Sequence, residues 1–221
     1  MNTPVLHLFV SIPVACFRVP YAREYWETYP CPPPSTVYGM LLSAVGETNR
    51  FVHKGAEIAV SLLSHSRCSR VLRKLWRIKK KDIPLGISEN VRPDFQELLT
   101  GVCLSIWVRQ GKDAAVEPLV KRLDKAFQDP AGVKRFGGLA LGESTHLVDE
   151  IRPWRETDPP RGWWLMRDSA GVLTLPIWPD HVGSSGTRWG RFRLAGCGKL
   201  GEPVEDAWIF ISPPGSDDGR A

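Results

Sequence analysis

Five prolines close together set the strongest limit on how this chain can fold. They lie between residues 17 and 34, and they are Pro20, Pro30, Pro32, Pro33 and Pro34. Proline fixes its own φ angle and has no backbone N–H, so we expect neither a helix nor a paired strand in this stretch. The sequence therefore predicts an irregular loop held by side-chain packing, with regular structure on either side.

The two flanking segments are typical of a buried strand and an amphipathic helix. Residues 4–12, PVLHLFVSI, are apolar and rich in β-branched side chains, and Pro13 is expected to close the run. After the prolines, Ser35 and Thr36 are candidate N-caps for a helix whose apolar residues recur at helical spacing up to Gly46.

The rest of the first 152 residues continues this alternation. Strands are predicted at 56–63, 102–108 and 145–151, and a second helix at about 116–127. The resulting order β-α-β-β-α-β is that of the ferredoxin-like fold and of the RNA-recognition motif. We therefore predict an α+β, ferredoxin-like domain over residues 1–152.

The composition changes after residue 152 to proline, glycine and tryptophan. Strands are predicted at 173–178 and 208–212, so residues 153–212 are expected to form a small β-rich C-terminal module. Residues 213–221 are predicted to be a tail, because they are polar and rich in glycine and proline.

Positive charge is concentrated between the second and third predicted strands. Eight of the 29 basic residues lie there without an acidic residue among them, namely Arg67, Arg70, Arg73, Lys74, Arg77, Lys79, Lys80 and Lys81. Without them the net charge of +5 would become −3, because 21 basic residues would face 24 acidic ones. Such a cluster is typical of a polyanion contact, but a solvated face or a surface for an acidic protein fits the charge equally well.

Within this basic stretch, apolar side chains alternate with the cations. Turn residues such as Gly86 follow, so residues 67–95 are predicted to form a projecting basic β-hairpin, with Trp76 available to stack on bases. An amphipathic helix packed on this protein or on a neighbour is the alternative.

Two further segments are candidates for binding phosphate. The helix that follows the prolines begins near Ser35 and Thr36, and free N–H groups at a helix start can bind an anion, although ordinary capping explains these residues as well. A glycine-rich loop can bring backbone amides close to a ligand, although a turn with positive φ is the simpler interpretation; its residues include Gly137, Gly138, Gly142 and Ser144.

The sequence does not predict a metal site or a cofactor. Its five cysteines are far apart and its five histidines lack metal-ligand spacing, so a reducing cytoplasm without disulfides is expected. The apolar start at residues 5–19 is too short to span a bilayer, so no membrane contact is predicted. His146 and Tyr38 are candidates for the base and the proton donor of a metal-independent ribonuclease, but their spacing does not mark a site.

Two blocks of this sequence resemble the Cas-five family of CRISPR-associated proteins. They are residues 15–47, AxFRxPxAREYWxTYPxPPPSTVYGMLLSAVGE, and residues 137–151, GGLALGESTHLVDEI. The order of strand, proline-rich loop, helix, basic hairpin and glycine-rich loop agrees as well. The resemblance covers roughly residues 4–152, and it is nearest to the I-B-like members of type I systems.

The resemblance implies a noncatalytic subunit of Cascade, the RNA-guided surveillance complex of antiviral defence. Such a subunit caps the 5′ handle of the CRISPR RNA and contacts a Cas-eight-type large subunit and a Cas-seven-type backbone subunit. It would meet target DNA only indirectly, because guide pairing reads the target sequence. The basic hairpin would be a thumb that presses against the guide.

Taken together, these arguments predict a set of RNA-binding residues. They are Arg18, Arg23, Ser35, Thr36, Tyr38, Arg67, Arg70, Arg73, Lys74, Trp76, Arg77, Lys79, Lys80, Lys81, Gly137, Gly138, Gly142 and Ser144. One branch of the family cleaves precursor CRISPR RNA with a Tyr, His and Lys cluster, and this activity is the enzymatic alternative. A basic adaptor that binds an acidic protein is the third possibility.

Overall fold

The computed structural model describes residues 4–21, 25–182 and 185–216. Within these ranges the chain has two α-helices and ten β-strands, and all ten strands belong to one sheet. Arg23 and residues 217–221 of the predicted tail lie outside the described residues. None of the helices in the described ranges is long and apolar enough to cross a membrane.

The first strand, β1 (Val5–Ala15), continues through Pro13, so the predicted end of the strand at this proline is wrong. On one side β1 pairs with β5 (Val91–Arg109), and on the other with β6 (Glu150–Pro153), whose pairing covers only Leu8–Ser11. Pro13 is exposed and lies beyond the end of β6, where its missing N–H breaks no ladder on that side.

The proline-rich stretch contains some strand pairing, which corrects the prediction of a loop without ladders. The short strand β2 (Tyr25–Trp26) runs parallel to β5, and Arg18 forms an isolated bridge with Thr28. The paired residues lie between the prolines, because each proline excludes a ladder bond only at its own position.

The first helix, α1, is Pro34–Ala44, and its N-cap is Pro33 without a side-chain cap. The prediction that Ser35 and Thr36 cap this helix is therefore wrong, since both lie inside its first turn. Proline at the first helical position already has a helical φ angle and needs no partner for a missing N–H, so the helix can begin without a capping side chain.

The basic segment forms a β-hairpin, as predicted, and the helical alternative is wrong. Its strands are β4 (Arg67–Trp76) and β5, paired from Arg67 opposite Thr100 to Trp76 opposite Val91. The second half of β5 continues into the sheet between β1 and β3 (Glu57–Leu62). The predicted strand at 102–108 is thus half of a 19-residue strand, and the hairpin is rooted in the central part of the sheet.

The second helix, α2, is Leu119–Gln128, and β6 is shorter and later than the strand predicted at 145–151. The strand order in this part is β6-β1-β5-β3, and every neighbouring pair is antiparallel. Both helices bury apolar side chains in one core with these strands, such as Leu41 of α1 and Leu123 of α2.

Four further strands follow in the C-terminal part, namely β7 (Gly162–Arg167), β8 (Leu173–Trp178), β9 (Arg188–Cys197) and β10 (Ile209–Phe210). The predicted strand at 173–178 is confirmed, β10 is shorter than predicted, and β7 and β9 were missed. Both β7 and β10 pair with β3, so the sheet continues across the predicted boundary near residue 152.

The face of the sheet that points away from the helices is covered by tryptophans. Trp164 and Trp208 are buried in a second, smaller apolar cluster. His7 lies between the rings of Trp107 and Trp154, with centroid distances of 3.9 and 4.2 Å. Trp154, Trp164 and Trp208 of the C-terminal part therefore shield the second face of the sheet, whereas Trp178 belongs to the main core.

The stacked His7 is expected to make stability depend on pH. Burial between the tryptophans lowers the pKa of His7 from 6.5 to about 4. The folded state thus favours the neutral ring, and this contribution is present above pH 6.5 and is lost as the pH falls towards 4. We expect the melting temperature of a His7→Gln variant to fall less than that of the wild type between these pH values. The control His181→Gln, at an exposed position, should follow the wild type.

Candidate nucleic-acid interface

The eight cations of the β4–β5 hairpin, residues 67–95, form two groups. Four lie within 4 Å of a carboxylate: Arg70 of Glu97, Arg73 of Glu143, and both Lys79 and Lys80 of Glu89. The other four have no ion-pair partner in the part of the chain that the structure describes; they are Arg67, Lys74, Arg77 and Lys81. Half of the predicted positive charge is therefore unpaired and available to a polyanion.

The tip of the hairpin is folded around one buried side chain, Asn90, which is 1% exposed. Its Oδ1 accepts hydrogen bonds from the amides of Lys79 and Lys80 at 2.8 and 2.9 Å, and its Nδ2 donates to the carbonyl of Lys80 at 2.8 Å. The tip cations are thus attached to a fixed backbone, so less conformational entropy is lost when they bind a ligand.

One face of the hairpin carries exposed apolar side chains. Leu72 of β4 lies opposite Phe95 of β5, and both side chains are about half exposed. Trp76 is 71% exposed and rests on Gly86, where an added Cβ would lie 2.8 Å from the indole ring. Trp76 is therefore held in place with a free ring face, which agrees with its predicted availability for stacking.

The middle of the hairpin is joined to the glycine-rich loop. Gln96 of β5 donates to the carboxylate of Glu143 at 2.9 Å, and Arg73 of β4 lies 3.8 Å from the same carboxylate. Trp26 has two guanidinium groups against its ring, from Arg18 at 4.2 Å and from Arg73 at 4.9 Å. The structure therefore brings the predicted residues Arg18 and Arg73 together with the loop.

A groove of about 1150 Å³ lies beside this junction. Its walls come from α1, from residues 46–50, from residues 133–142 and from the end of β8 with the residues that follow it. The predicted residues Ser35, Thr36, Tyr38 and Gly142 line it, and we call it the α1 groove. Gly142 lines the groove and the next residue, Glu143, contacts the hairpin, so the glycine-rich loop links the α1 groove to the hairpin.

The charged lining of the α1 groove is mainly basic. Arg50, Lys134 and Arg135 line it, together with one carboxylate, Glu47. Glu47 lies 2.7 Å from a guanidinium nitrogen of Arg122, and this hydrogen bond is the main cause that lowers the pKa of the carboxyl group. Its charge is therefore already compensated within the fold, and the groove favours an anion.

The start of α1 has few free donors, which corrects the prediction of an anion-binding helix end. Pro33 and Pro34 have no N–H, and the amides of Thr36 and Val37 both donate to the carbonyl of Pro33. Only the amide of Ser35 lacks a backbone acceptor among the described residues of this turn. The same prolines that start the helix remove its donors, so binding here would depend on the hydroxyl groups of Ser35 and Thr36.

One glycine of the glycine-rich loop is needed for packing, whereas other residues of the loop are exposed to solvent. Gly142 has a φ angle of +99°, and an added Cβ would lie 2.6 Å from the carbonyl oxygen of Cys16. This glycine therefore lets the loop pack against the end of β1. Gly137 also has a positive φ, of +74°, but open space surrounds it, and Ser144 is exposed. An added Cβ at Gly138 would meet the side chain of Leu147.

The chain is similar to known CRISPR-associated proteins. Residues 5–77 match the model of the family described as CRISPR-associated protein (Cas_Cas5). The CRISPR-associated protein Cas5 of Myxococcus xanthus (strain DK1622) is 43% identical over 193 residues, which are 86% of this chain and 90% of that protein. This chain belongs to the Cas5 family. The resemblance seen in the sequence is thus confirmed at the level of the family.

Solved structures agree with the Cas5 assignment at the level of the fold. A chain of a CRISPR RNA-guided surveillance complex has a TM-score of 0.62 at 14% identity, over 92% of this chain and 96% of that chain. The crystal structure of a Cas protein has a TM-score of 0.50 at 12% identity, over 87% and 94% of the two chains. The mixed α+β architecture with a mostly antiparallel sheet is thus shared with these proteins.

The two candidate ribonuclease residues of this Cas5 chain are engaged within the fold. Tyr38 is 3% exposed, its hydroxyl donates to the carbonyl of Arg50 at 2.8 Å, and burial raises its pKa. The Nδ1 atom of His146 accepts a hydrogen bond from the amide of Cys16 at 3.0 Å, and burial lowers the pKa of the ring. The hydroxyl of Tyr38 is therefore not free to contact RNA in this conformation, and we leave it out of the interface.

Several residues of the candidate interface were missed in the sequence of this Cas5 chain. Lys134, Arg135 and Phe136 form a basic and aromatic triplet directly before the predicted glycines, and Arg50 follows α1. The triplet was a usable signal, because cations beside an aromatic residue are typical of nucleic-acid contacts. Within the described residues, His, Cys, Asp and Glu side chains do not form a group of three or more that could hold a metal ion.

Proposed function

We propose that this Cas5-family protein binds the 5′ handle of CRISPR RNA as a noncatalytic subunit of a type I Cascade complex. The observation that carries the proposal is the link between the hairpin and the α1 groove through the glycine-rich loop. Of the four unpaired hairpin cations, Arg67 and Lys74 lie on β4, and Arg77 and Lys81 lie in the residues that follow it. Glu143 contacts β4, and its neighbour Gly142 lines a groove that contains three more cations. Concentrated positive charge along one path is the feature that a single-stranded phosphate backbone requires.

We also propose the finer features of the architecture. The order β6-β1-β5-β3 with two helices on one face supports a ferredoxin-like domain with residues 67–95 as its thumb. The division into residues 1–152 and 153–212 remains a proposal, and the shared sheet supports a tight association of the two parts.

The proposal that the subunit is noncatalytic depends on the state of its candidate base and acid. A general base needs a free acceptor within reach of the proton that it removes. The Nδ1 atom of His146 is already an acceptor for a backbone amide, and the hydroxyl of Tyr38 is buried. Both observations support a scaffold over a precursor-processing ribonuclease.

The proposed partners follow from the surfaces of the thumb. RNA would contact its cations, whereas the exposed apolar side chains, such as Leu72 and Ile78, support a protein contact. We propose a Cas-seven-type backbone subunit and a Cas-eight-type large subunit as these partners, with target DNA met only through the guide. We propose a cytoplasmic location, which rests on the scattered cysteines.

The pairing of Lys79 and Lys80 with Glu89 leads to a prediction about RNA affinity. The carboxylate lies 3.1 and 2.7 Å from the two ammonium groups, and their hydrogen bonds lower its pKa, that of Lys80 first. Glu89→Gln should release both cations, raise RNA affinity several-fold and steepen the slope of log K against log salt by about 1.4. A filter-binding titration over salt concentration measures both values. An unchanged slope would mean that these lysines do not contact phosphate.

Incubation of the purified protein with RNA in the presence of a chelator tests the proposed function. One labelled RNA is a repeat-containing precursor, and the other is the mature 5′ handle. We expect salt-dependent binding of both and cleavage of neither. Cleavage at one position of the repeat would identify the processing enzyme instead. Binding to acidic proteins without binding to RNA would identify an adaptor.

A further inference from the structure

An unusual residue at the α1 groove is Phe136, whose side chain is fully exposed at 101%. Its ring would gain free energy on leaving water, but exposure of one apolar side chain does not by itself mark a contact, so the residues around it must indicate the partner. Phe136 lies in the segment 133–137, which has neither helix nor strand.

The position of this segment is nevertheless fixed by the fold. Gly46, just after α1, has a φ angle of +70°, and an added Cβ there would lie 2.1 Å from the carbonyl oxygen of Lys134. The backbone around Lys134 therefore packs directly on the end of the helix. Arg135 is held as well, because its guanidinium donates to the carbonyl of Gly137 at 3.2 Å. Phe136 is thus presented from a supported backbone.

The surroundings of Phe136 indicate what would cover its ring. Its two preceding neighbours are cations, and the ammonium of Lys134 has no ion-pair partner among the residues that the structure describes. The α1 groove is also lined by hydroxyl groups of α1 and by Gly39, where an added Cβ would meet no atom within 4 Å. An apolar protein side chain would leave these cations and hydroxyls without partners, whereas a nucleotide offers a flat base together with a phosphate.

We propose that Phe136 is a stacking platform for one unpaired base of single-stranded RNA, with Lys134 and Arg135 on the adjacent phosphates. The inference rests on the proposed function and adds a specific subsite to it. Because every base has a π-face, the subsite would select an unstacked nucleotide without selecting its sequence.

Single 2-aminopurine substitutions in the mature 5′ handle RNA test this inference. The fluorescence of 2-aminopurine is quenched by stacking, so one position of the handle should be quenched when the wild-type protein binds. Phe136→Ala should remove this quenching and weaken binding by about 5- to 150-fold, which corresponds to one stacked base. The slope of log K against log salt should stay unchanged, because no cation is lost. Phe136→Trp should restore affinity and quenching.

The control is Val116→Ala, since Val116 is also fully exposed but does not line the α1 groove. Its affinity and fluorescence should equal those of the wild type. If the wild type binds RNA but Phe136→Ala binds equally well with the same quenching, the stacking subsite is wrong and the proposed function stands. If the wild type does not bind the handle, both proposals fail.

Discussion

Replacement of the four unpaired hairpin cations by alanine is expected to lower RNA affinity by about 10²-fold at 0.15 M salt. The variant is R67A/K74A/R77A/K81A, and its residues lack carboxylate partners in the described part of the chain. Each cation that neutralises a phosphate of a single strand contributes about 0.7 to the slope of log K against log salt, so four should contribute about 3. Binding titrations from low to high salt measure the affinity and the slope.

The matched control is the variant K54A/K112A/K121A/K199A, in which four exposed lysines outside the hairpin are replaced. Its net charge changes by the same amount as that of the hairpin variant. If the hairpin is the RNA contact, this control should keep nearly all of the affinity and most of the slope. Equal losses in the two variants would mean that RNA senses only the overall charge of the protein. In that case the hairpin would not be a specific thumb.

Asp113→Ala is expected to destabilise the fold by about 3–5 kcal/mol, because it leaves two buried N–H donors without acceptors, at about 1–3 kcal/mol each. Asp113 is 2% exposed, and its carboxylate accepts hydrogen bonds from His53 at 2.9 Å and from the amide of Leu119 at 2.8 Å. Arg122 can only donate, so the Nε2 atom of His53 accepts and its Nδ1–H is left for Asp113. The substitution would leave this N–H and the first amide of α2 buried without acceptors.

Chemical denaturation at neutral pH measures this loss of stability. The control is Asp124→Ala, on the exposed face of α2, and we expect it to change the free energy of unfolding by no more than about 0.5 kcal/mol.

Burial alone would raise the pKa of Asp113, but the hydrogen bonds from His53 and two amides outweigh burial, and its pKa is lowered. Its stabilising contribution is therefore present above the ordinary pKa of 3.8 and is lost as the pH falls through the folded value. A stability difference that stayed constant through this range would contradict the assigned ionised state.

The parts of the fold that could be predicted have a local signal in the sequence. The hairpin was predictable because apolar residues are interspersed with cations over residues 67–76 and turn residues follow, and β8 because it is a short apolar run. In contrast, β9 contains three arginines and two glycines, and its alternation of charged and apolar residues is confined to residues 191–194. This strand is stabilised by its pairing with β7, a contact that its own composition does not indicate.

The candidate site was harder to predict because it depends on contacts between distant segments. The start of α1 was recognised from the sequence. The number of backbone N–H groups left free at this start was not, because it depends on the backbone geometry around Pro33 and Pro34. The α1 groove combines residues near 35, 135 and 178. The contact between Gly46 and Lys134 that positions Phe136 cannot be recognised from either residue alone.

The most direct test of the central claim is a crosslinking experiment with the mature 5′ handle RNA. The RNA carries 4-thiouridine at single positions, and crosslinked peptides are identified by mass spectrometry after irradiation. We predict crosslinks in residues 67–81 of the hairpin and in residues 133–142 of the α1 groove, with competition by unlabelled handle. Crosslinks confined to the outer surface of α2 or to the turn before β8, with the hairpin and groove unlabelled, would contradict the account.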